Sequence, residues 1–206
     1  MIMSVSSFDL SQFDLNAMVK NPSILIIGES KLDKAFIVKD LMYHFKDIPA
    51  RIAITSTNTY NDYIPATHIY HEYDHIVSKL ISRQSILKNR QCALIVLDDC
   101  MNKNKETDGL LFNGRCYNLT TIITIQSVND LASGSPLNFD YIFLLEIEDK
   151  TDRMKMWEKW LAAIPYDTFD NILHTYTRDN HAMVIDNITS SVNDKVFWHA
   201  VRVREY

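Results

Sequence analysis

The chain has 206 residues, 47% of them apolar, and a formal charge of −5. That length and apolar content suit a sizeable packed core, and the acidic balance excludes a surface that coats nucleic acid by bulk charge. No apolar run approaches the roughly 18 residues a membrane span needs, and the N-terminus lacks the basic-then-apolar pattern of a secretory leader.

In chain order, short apolar runs alternate with helical periodicity, the pattern of a mostly parallel sheet with crossover helices. Residues 23–27 (SILII) read as a buried central strand. A loop follows, then an amphipathic helix of about three turns with Phe36, Leu41, Met42 and Phe45 toward the core, stopped by Pro49. Residues 51–55 (RIAIT) predict a second strand, and residues 56–66 a polar loop. Within residues 74–89, Ile76, Val77, Leu80, Ile81 and Leu87 share one helical face, with Asp74 as the N-cap. Residues 92–97 (CALIVL) are the strongest buried strand, ending in Asp98-Asp99, and the charged residues 101–108 read as a loop. Residues 120–125 (TTIITI) and 141–147 (YIFLLEI) predict two more strands, and residues 150–163 a helix closed by Pro165. Residues 182–186 predict a further strand, and residues 196–201 a terminal strand or helix. No linker divides the chain, so a single domain over residues 1–206 is expected. Cys92, Cys100 and Cys116 are an odd count without metal-ligand spacing and read as free thiols of a reducing compartment.

Two strand ends carry chemistry. Gly28-Glu29-Ser30-Lys31-Leu32-Asp33-Lys34-Ala35 follows the first strand in the register of G-x-x-x-x-G-K-[ST], where backbone N–H groups and a lysine cradle phosphates at a helix N-terminus. Asp98-Asp99 ends another strand, where a carboxylate holds Mg²⁺. These two strands are expected to be neighbours at the carboxyl edge of the sheet. Asp33 replaces the second glycine, and two unit charges 4 Å apart repel by about 4 kcal/mol at an effective dielectric of about 20. Micromolar binding is worth about 8 kcal/mol in all. Ala35 replaces the hydroxyl residue that ligates Mg²⁺ directly. The chain holds four glycines where average usage of about 7% gives roughly fourteen, which is lean for a phosphate-cradling protein.

Further blocks occur in order: PSILIIGESKLDKAFIVKDL, IPATHIYHEYD with Ser82-Arg83-Gln84, ALIVLDDCM, LFNGRCYNLTTIITIQSVNDL, NFDYIFLLEIED and MVIDNITSSVNDKVFW. With them, residues 8–206 resemble the genome-packaging ATPases of the nucleocytoplasmic large DNA viruses, in the FtsK–HerA group of P-loop NTPases. The resemblance implies a three-layer α/β P-loop NTPase fold (RecA/FtsK-like) with a mostly parallel central sheet. It implies ATP and Mg²⁺, held by Gly28, Ser30, Lys31, Asp33, Lys34 and Ala35, with Lys34 on the phosphates and Asp98 on the metal. It assigns Asp99 to orienting water and Gln126 to a polar sensor. Arg115 is a candidate for charge stabilisation in cis or across a subunit boundary, or a surface ion-pair partner. The partners implied are viral double-stranded DNA, capsid or packaging-vertex proteins and further copies of the chain, in the virion or the host cytoplasm.

Besides Asp33 and Ala35, the family's arginine before the closing Asn-x-Asp block is missing, the stretch here being Ser135-Pro136-Leu137-Asn138. Losing a transition-state arginine costs a factor of ~10³ or more in phosphoryl transfer. The expectation is therefore a packaging ATPase-like protein with weak or absent hydrolysis, the alternatives being an active ring-forming DNA-translocating motor and an unrelated α/β enzyme. His71-Glu72-Tyr73-Asp74-His75 matches H-E-x-x-H, but Asp74 as a helix cap leaves His71 outside the helix such a zinc site needs. The aromatic and basic residues 197–206, with Arg202 and Arg204, read first as a packed strand and second as a contact for DNA or a neighbouring subunit.

Overall fold

The computed structural model describes residues 10–57, 59–72, 75–87, 91–100, 109–111, 113–131, 138–178, 181–189 and 195–200. Eight strands form one sheet: β1 (Ser23–Ile27), β2 (Ala50–Ile54), β3 (Ile69–Tyr70), β4 (Ala93–Asp98), β5 (Leu119–Ile125), β6 (Tyr141–Leu144), β7 (His181–Asp186) and β8 (Val196–Ala200). Their spatial order is β3-β2-β4-β5-β1-β6-β7-β8. The first six run parallel; β7 and β8 add antiparallel at one side. β1 and β4 are not neighbours as expected. β5 lies between them, pairing with β1 from Ser23↔Thr121 to Ile27↔Ile125 and with β4 from Ala93↔Leu119 to Asp98↔Thr124. The carboxyl ends of all three still come to one edge.

The continuous apolar runs follow from burial on both faces of a parallel sheet. Successive side chains alternate: Leu25, Ile27, Ile95 and Leu97 pack into one core, while Ile24, Ile26, Leu94 and Val96 pack into the other. The first core is covered by α2 (Ile76–Leu87) through Val77 and Leu80, by α3 (Lys150–Met156) through Met156, and by α4 (Tyr166–Tyr176) through Phe169, Ile172 and Leu173. The second is covered by α1 (Lys31–His44) through Ile37, Val38, Leu41 and Met42. Phe36 and Phe45, expected in the core, are only half-buried. α3 continues as a π-helical turn, Trp157–Leu161, so one helical segment runs to just short of the expected residue 163. That segment closes ahead of Pro165, which also occupies the N-cap position of α4, a helix the sequence reading left unassigned, as it did the two-residue β3. Of residues 196–201, open between strand and helix, Val196–Ala200 form β8 and residue 201 lies outside the described residues. Asp74, residues 101–108 and residues 135–137 lie outside the described residues. The three cysteines are free thiols, as expected.

Gly28 leaves β1 with ordinary backbone geometry, since no glycine among the described residues has positive φ. Its lack of a side chain serves packing instead: a Cβ built there stands 2.8 Å from the Leu145 Cβ and 2.9 Å from its Cδ1. Gly28→Ala should therefore destabilise the chain by about 1–3 kcal/mol through overpacking. In thermal unfolding this appears as a fall of roughly 2–4 °C per kcal/mol for a chain of this size. An unchanged midpoint would mean that Leu145 yields freely.

Candidate functional site

Between β1 and α1 there are only three residues, Gly28, Glu29 and Ser30, because α1 begins at Lys31. The sequence register is that of a phosphate loop, yet residues 31–33 form the first turn of a helix. The reason is local. Ser30 is the N-cap, its Oγ accepting from the Asp33 amide at 3.2 Å, and Asp33 places a carboxylate in the first turn, where the helix dipole favours it. Ser30-x-x-Asp33 ahead of an apolar run is a helix start as much as a phosphate loop. Glu29 is also engaged: its Oε1 accepts from the Glu148 amide at 3.0 Å and the Asp149 amide at 3.5 Å, just ahead of α3. Lys31 is exposed, and Ala35 is buried and brings no hydroxyl.

Lys34 has no exposed surface. Its Nζ lies 2.8 Å and 3.1 Å from the two carboxylate oxygens of Asp99 and 3.4 Å from the Ile125 carbonyl. Asp98, the last residue of β4, accepts at Oδ1 from the Thr124 hydroxyl (2.8 Å) and at Oδ2 from the Thr55 hydroxyl (2.9 Å). Thr124 Oγ1 also accepts from the Asp99 amide at 2.9 Å. The Gln126 side-chain amide donates to Asp99 Oδ2 at 3.3 Å. Lys34, Asp98, Asp99 and Gln126 thus converge at the carboxyl edge of β1, β4 and β5. Two adjacent carboxylates beside an ammonium and an amide make a place where a hydrated divalent cation and phosphate oxygens could be held, Mg²⁺ commonly keeping several waters and one or two carboxylates. Among the described residues no cluster of three or more His, Cys, Asp or Glu side chains is arranged to hold a metal by itself.

Arg115 is not brought to this cluster. It lies in the 3₁₀ turn Gly114–Tyr117 ahead of β5, at the opposite edge of the sheet, paired with Asp140. Asp140 in turn fixes the start of β1 by accepting from the Ser23 amide at 2.8 Å. His71 and His75 do not share a helix: His71 Nδ1 is 2.9 Å from the Thr55 carbonyl, and His75, with φ 52°, precedes α2. Tyr73, Asp74, Arg202 and Arg204 lie outside the described residues.

The sequence reading missed the hydroxyls around Asp98. Thr124 had a signal, a polar residue inside a fully buried strand. Thr55 stands just past β2 and is linked onward through Thr57 Oγ1 (3.2 Å) to Thr59 Oγ1 (2.7 Å). Tyr60 is fully buried, and burial, followed by the charge of Asp98 and a hydrogen bond to its carboxylate, pushes the phenol far above the ordinary range. Cys100 donates from Sγ to the Ile54 carbonyl at 3.1 Å, and burial with the charge of Asp98 raises its thiol to about 12, which keeps it protonated and unreactive.

No protein-family model matches the sequence. The L437 protein of Acanthamoeba polyphaga mimivirus is 31% identical over 230 residues, covering 99% of this chain and 81% of that protein. The 088R protein of Invertebrate iridescent virus 3 is 26% identical over 222 residues, covering 94% and 85%. Among solved structures, the genome packaging NTPase B204 of Sulfolobus turreted icosahedral virus 2 with AMP superposes with a TM-score of 0.66 at 15% identity, over 90% of this chain and all of that one. The ATPase domains 2 and 3 of EssC from Geobacillus thermodenitrificans give 0.55 at 12% identity, over 81% of this chain and 38% of that one. The chain belongs to the family of large-DNA-virus proteins that includes mimivirus L437, and its fold is that of the genome packaging NTPase B204.

Proposed function

We propose that the chain is a genome-packaging ATPase-like protein of a large DNA virus that binds ATP weakly, hydrolyses it slowly or not at all, and serves in packaging or virion assembly. The observation that carries this reading is the start of α1 at Lys31, which leaves a three-residue turn where a phosphate cradle needs a longer wrap. Three features act with it. Asp33 puts a carboxylate where phosphate would sit, Ala35 offers no metal ligand, and the Lys34 ammonium is already satisfied by Asp99. Nucleotide binding would have to unwind the first helical turn and draw Lys34 from its pair. The fold relative B204 has been solved with AMP, AMPPCP and ATP-γS, which makes an adenine nucleotide with Mg²⁺ the ligand to test. A second reading, an active ring-forming motor on double-stranded DNA, is favoured by the convergence of Lys34, Asp98, Asp99 and Gln126. In it Arg115, distant from its own subunit's cluster, would act across a subunit boundary.

A fluorescent ATP analogue titrated with and without Mg²⁺, beside a steady-state ATPase assay, separates the two. The proposal expects affinity weaker than about 10⁻⁶ M, the level worth about 8 kcal/mol, and no turnover above background. Micromolar, Mg²⁺-dependent binding with turnover abolished by Asp98→Asn overturns it in favour of the motor.

The double variant Asp33→Gly with Ala35→Ser weakens the first turn of α1, since an interior glycine costs a helix about 1 kcal/mol, and removes the competing carboxylate. Nucleotide affinity should rise at least about tenfold, equivalent to 1.4 kcal/mol. Unchanged affinity would show that these two residues are not what closes the loop.

A further inference from the structure

Thr55, just past β2, is fixed from three sides. Its amide donates to the Tyr70 carbonyl at 2.9 Å, its carbonyl meets the His71 ring at Nδ1 at 2.9 Å, and its hydroxyl donates to Asp98 Oδ2 at 2.9 Å. A carbonyl only accepts, so His71 carries a proton on Nδ1 in this contact. The Thr55 hydroxyl oxygen also lies 3.2 Å from Thr57 Oγ1, which lies 2.7 Å from Thr59 Oγ1. Each hydroxyl has a single hydrogen, and that settles the donors. The hydrogen of Thr55 goes to the carboxylate, so Thr57 donates to Thr55. The hydrogen of Thr57 is then spent, so Thr59 donates to Thr57. Three hydroxyl dipoles run head to tail into Asp98, and hydrogen bonds in such a chain polarise and strengthen one another.

Thr55 is buried, Thr59 half-buried and Thr57 exposed, so the chain leads from solvent to the end of β4. Asp98 takes two further hydroxyl bonds, from Thr124 at Oδ1 and from Tyr60. A carboxylate offers about four lone pairs, so three donors leave about one for a ligand. That suits a hydrated cation such as Mg²⁺, which keeps several waters and needs only one or two carboxylates. Where a single lone pair remains, its direction is set by the donors on the others. A threonine in a polar loop is ordinary. Three at alternate positions, joined in one direction and ending on the carboxylate of the site, are not explained by packing.

We propose that Thr57 and Thr59 are positioning residues for Asp98: their hydroxyls keep that of Thr55 aimed at Oδ2 and so fix the plane of the carboxylate that would take a divalent cation. This rests on the assignment of Asp98 to the metal, but not on whether ATP is hydrolysed. The effect fades along the chain. Loss of an outer partner of a metal ligand typically weakens affinity by about 10–100-fold, the range expected of Thr55→Val. Thr57→Val, one hydrogen bond further out, should cost about 3–10-fold on the same scale, and Thr59→Val less.

The test uses the full chain without nucleotide and Mn²⁺ as the probe, free Mn²⁺ being read by its electron paramagnetic resonance signal. Thr57→Val keeps the side chain's shape and deletes one exposed hydroxyl, a change that barely moves stability outside a network. Mn²⁺ affinity should fall in Thr57→Val, hold in Thr57→Ser and vanish in Asp98→Asn. Equal affinity in Thr57→Val and the unaltered chain overturns the proposal, and so does an equal loss in Thr57→Ser, since the hydroxyl would not be the cause. Thermal unfolding of the metal-free protein gives a second reading. Thr57 and Asp98 meet only through Thr55. Members of one network are non-additive, so Thr57→Val should lower the midpoint less in the Asp98→Asn background than in the unaltered chain. Additive shifts overturn the proposal. A non-additive midpoint without Mn²⁺ binding to the unaltered chain defeats the assignment of Asp98 to the metal, and the positioning role falls with it. Mn²⁺ binding indifferent to Thr57 defeats the positioning role alone.

Discussion

The buried pair of Lys34 and Asp99 is the constraint on which this edge of the molecule depends. An ammonium with no exposed surface is costly unless it is paired and hydrogen-bonded, and Lys34 meets that condition through both Asp99 oxygens and the Ile125 carbonyl. Those three contacts join a helix on one face of the sheet to the ends of two different strands, β4 and β5. Removing one partner of such a pair typically costs about 3–5 kcal/mol, because the other charge is left buried alone. The position of α1 over the sheet is therefore tied to the same two charges that would meet a nucleotide. A phosphate group competing for Lys34 competes with a carboxylate already at 2.8 Å.

Asp98 and Asp99 are consecutive, and consecutive residues of a strand point to opposite faces. Both reach one cluster only because Asp99 leaves the strand in the left-handed region, with φ 50°. For a residue with a Cβ that conformation costs on the order of 1–2 kcal/mol. Thr124 offsets the strain. Its carbonyl and its hydroxyl both receive the Asp99 amide, at 3.3 Å and 2.9 Å, and the same hydroxyl donates to Asp98. One threonine in the central strand thus sets the relative placement of two carboxylates, which explains a polar side chain with no exposed surface amid isoleucines. Strained backbone of this kind collects at functional sites.

The sequence was most legible where a residue run had a single physical solution. The apolar stretches of β1, β4 and β5 are buried on both faces and have few other places to go. It was least legible where one stretch satisfied two local patterns. Residues 28–35 read as a phosphate loop by spacing and as a helix start by Ser30 and Asp33, and only packing decides between them. Lys34, at the fourth position of that helix, must turn inward to Asp99, and the helix that includes Ser30's cap delivers it there. β3, two residues long, carries no periodicity to detect. α4 did carry a signal, Phe169, Ile172, Leu173 and Tyr176 at helical spacing, obscured by the proline just before it. Tyr60 gave no signal at all, since a buried tyrosine is ordinary and only its place beside Asp98 sets it apart. Arg115 was legible as a charged residue in a distinctive block, but not as one placed at the far edge of the sheet, because a turn before a strand and a turn after it look alike in one dimension.

The charges around the short loop complete the account. Glu29, Asp33, Asp98 and Asp99 place four carboxylates near it against the ammonium groups of Lys31 and Lys34. Two of those carboxylates already occupy positions a phosphate would seek: Asp33 in the first turn of α1, and Glu29 on the amides just before α3. Helix N-termini attract anions, and here the chain supplies its own. A triphosphate arriving alone meets a net negative field, with the Asp33 amide already held by Ser30 Oγ. Whatever affinity this edge has for such a ligand must come from positive charge that arrives with it, which gives the arrangement of hydroxyls around Asp98 more weight than the lysine that first draws the eye in the sequence.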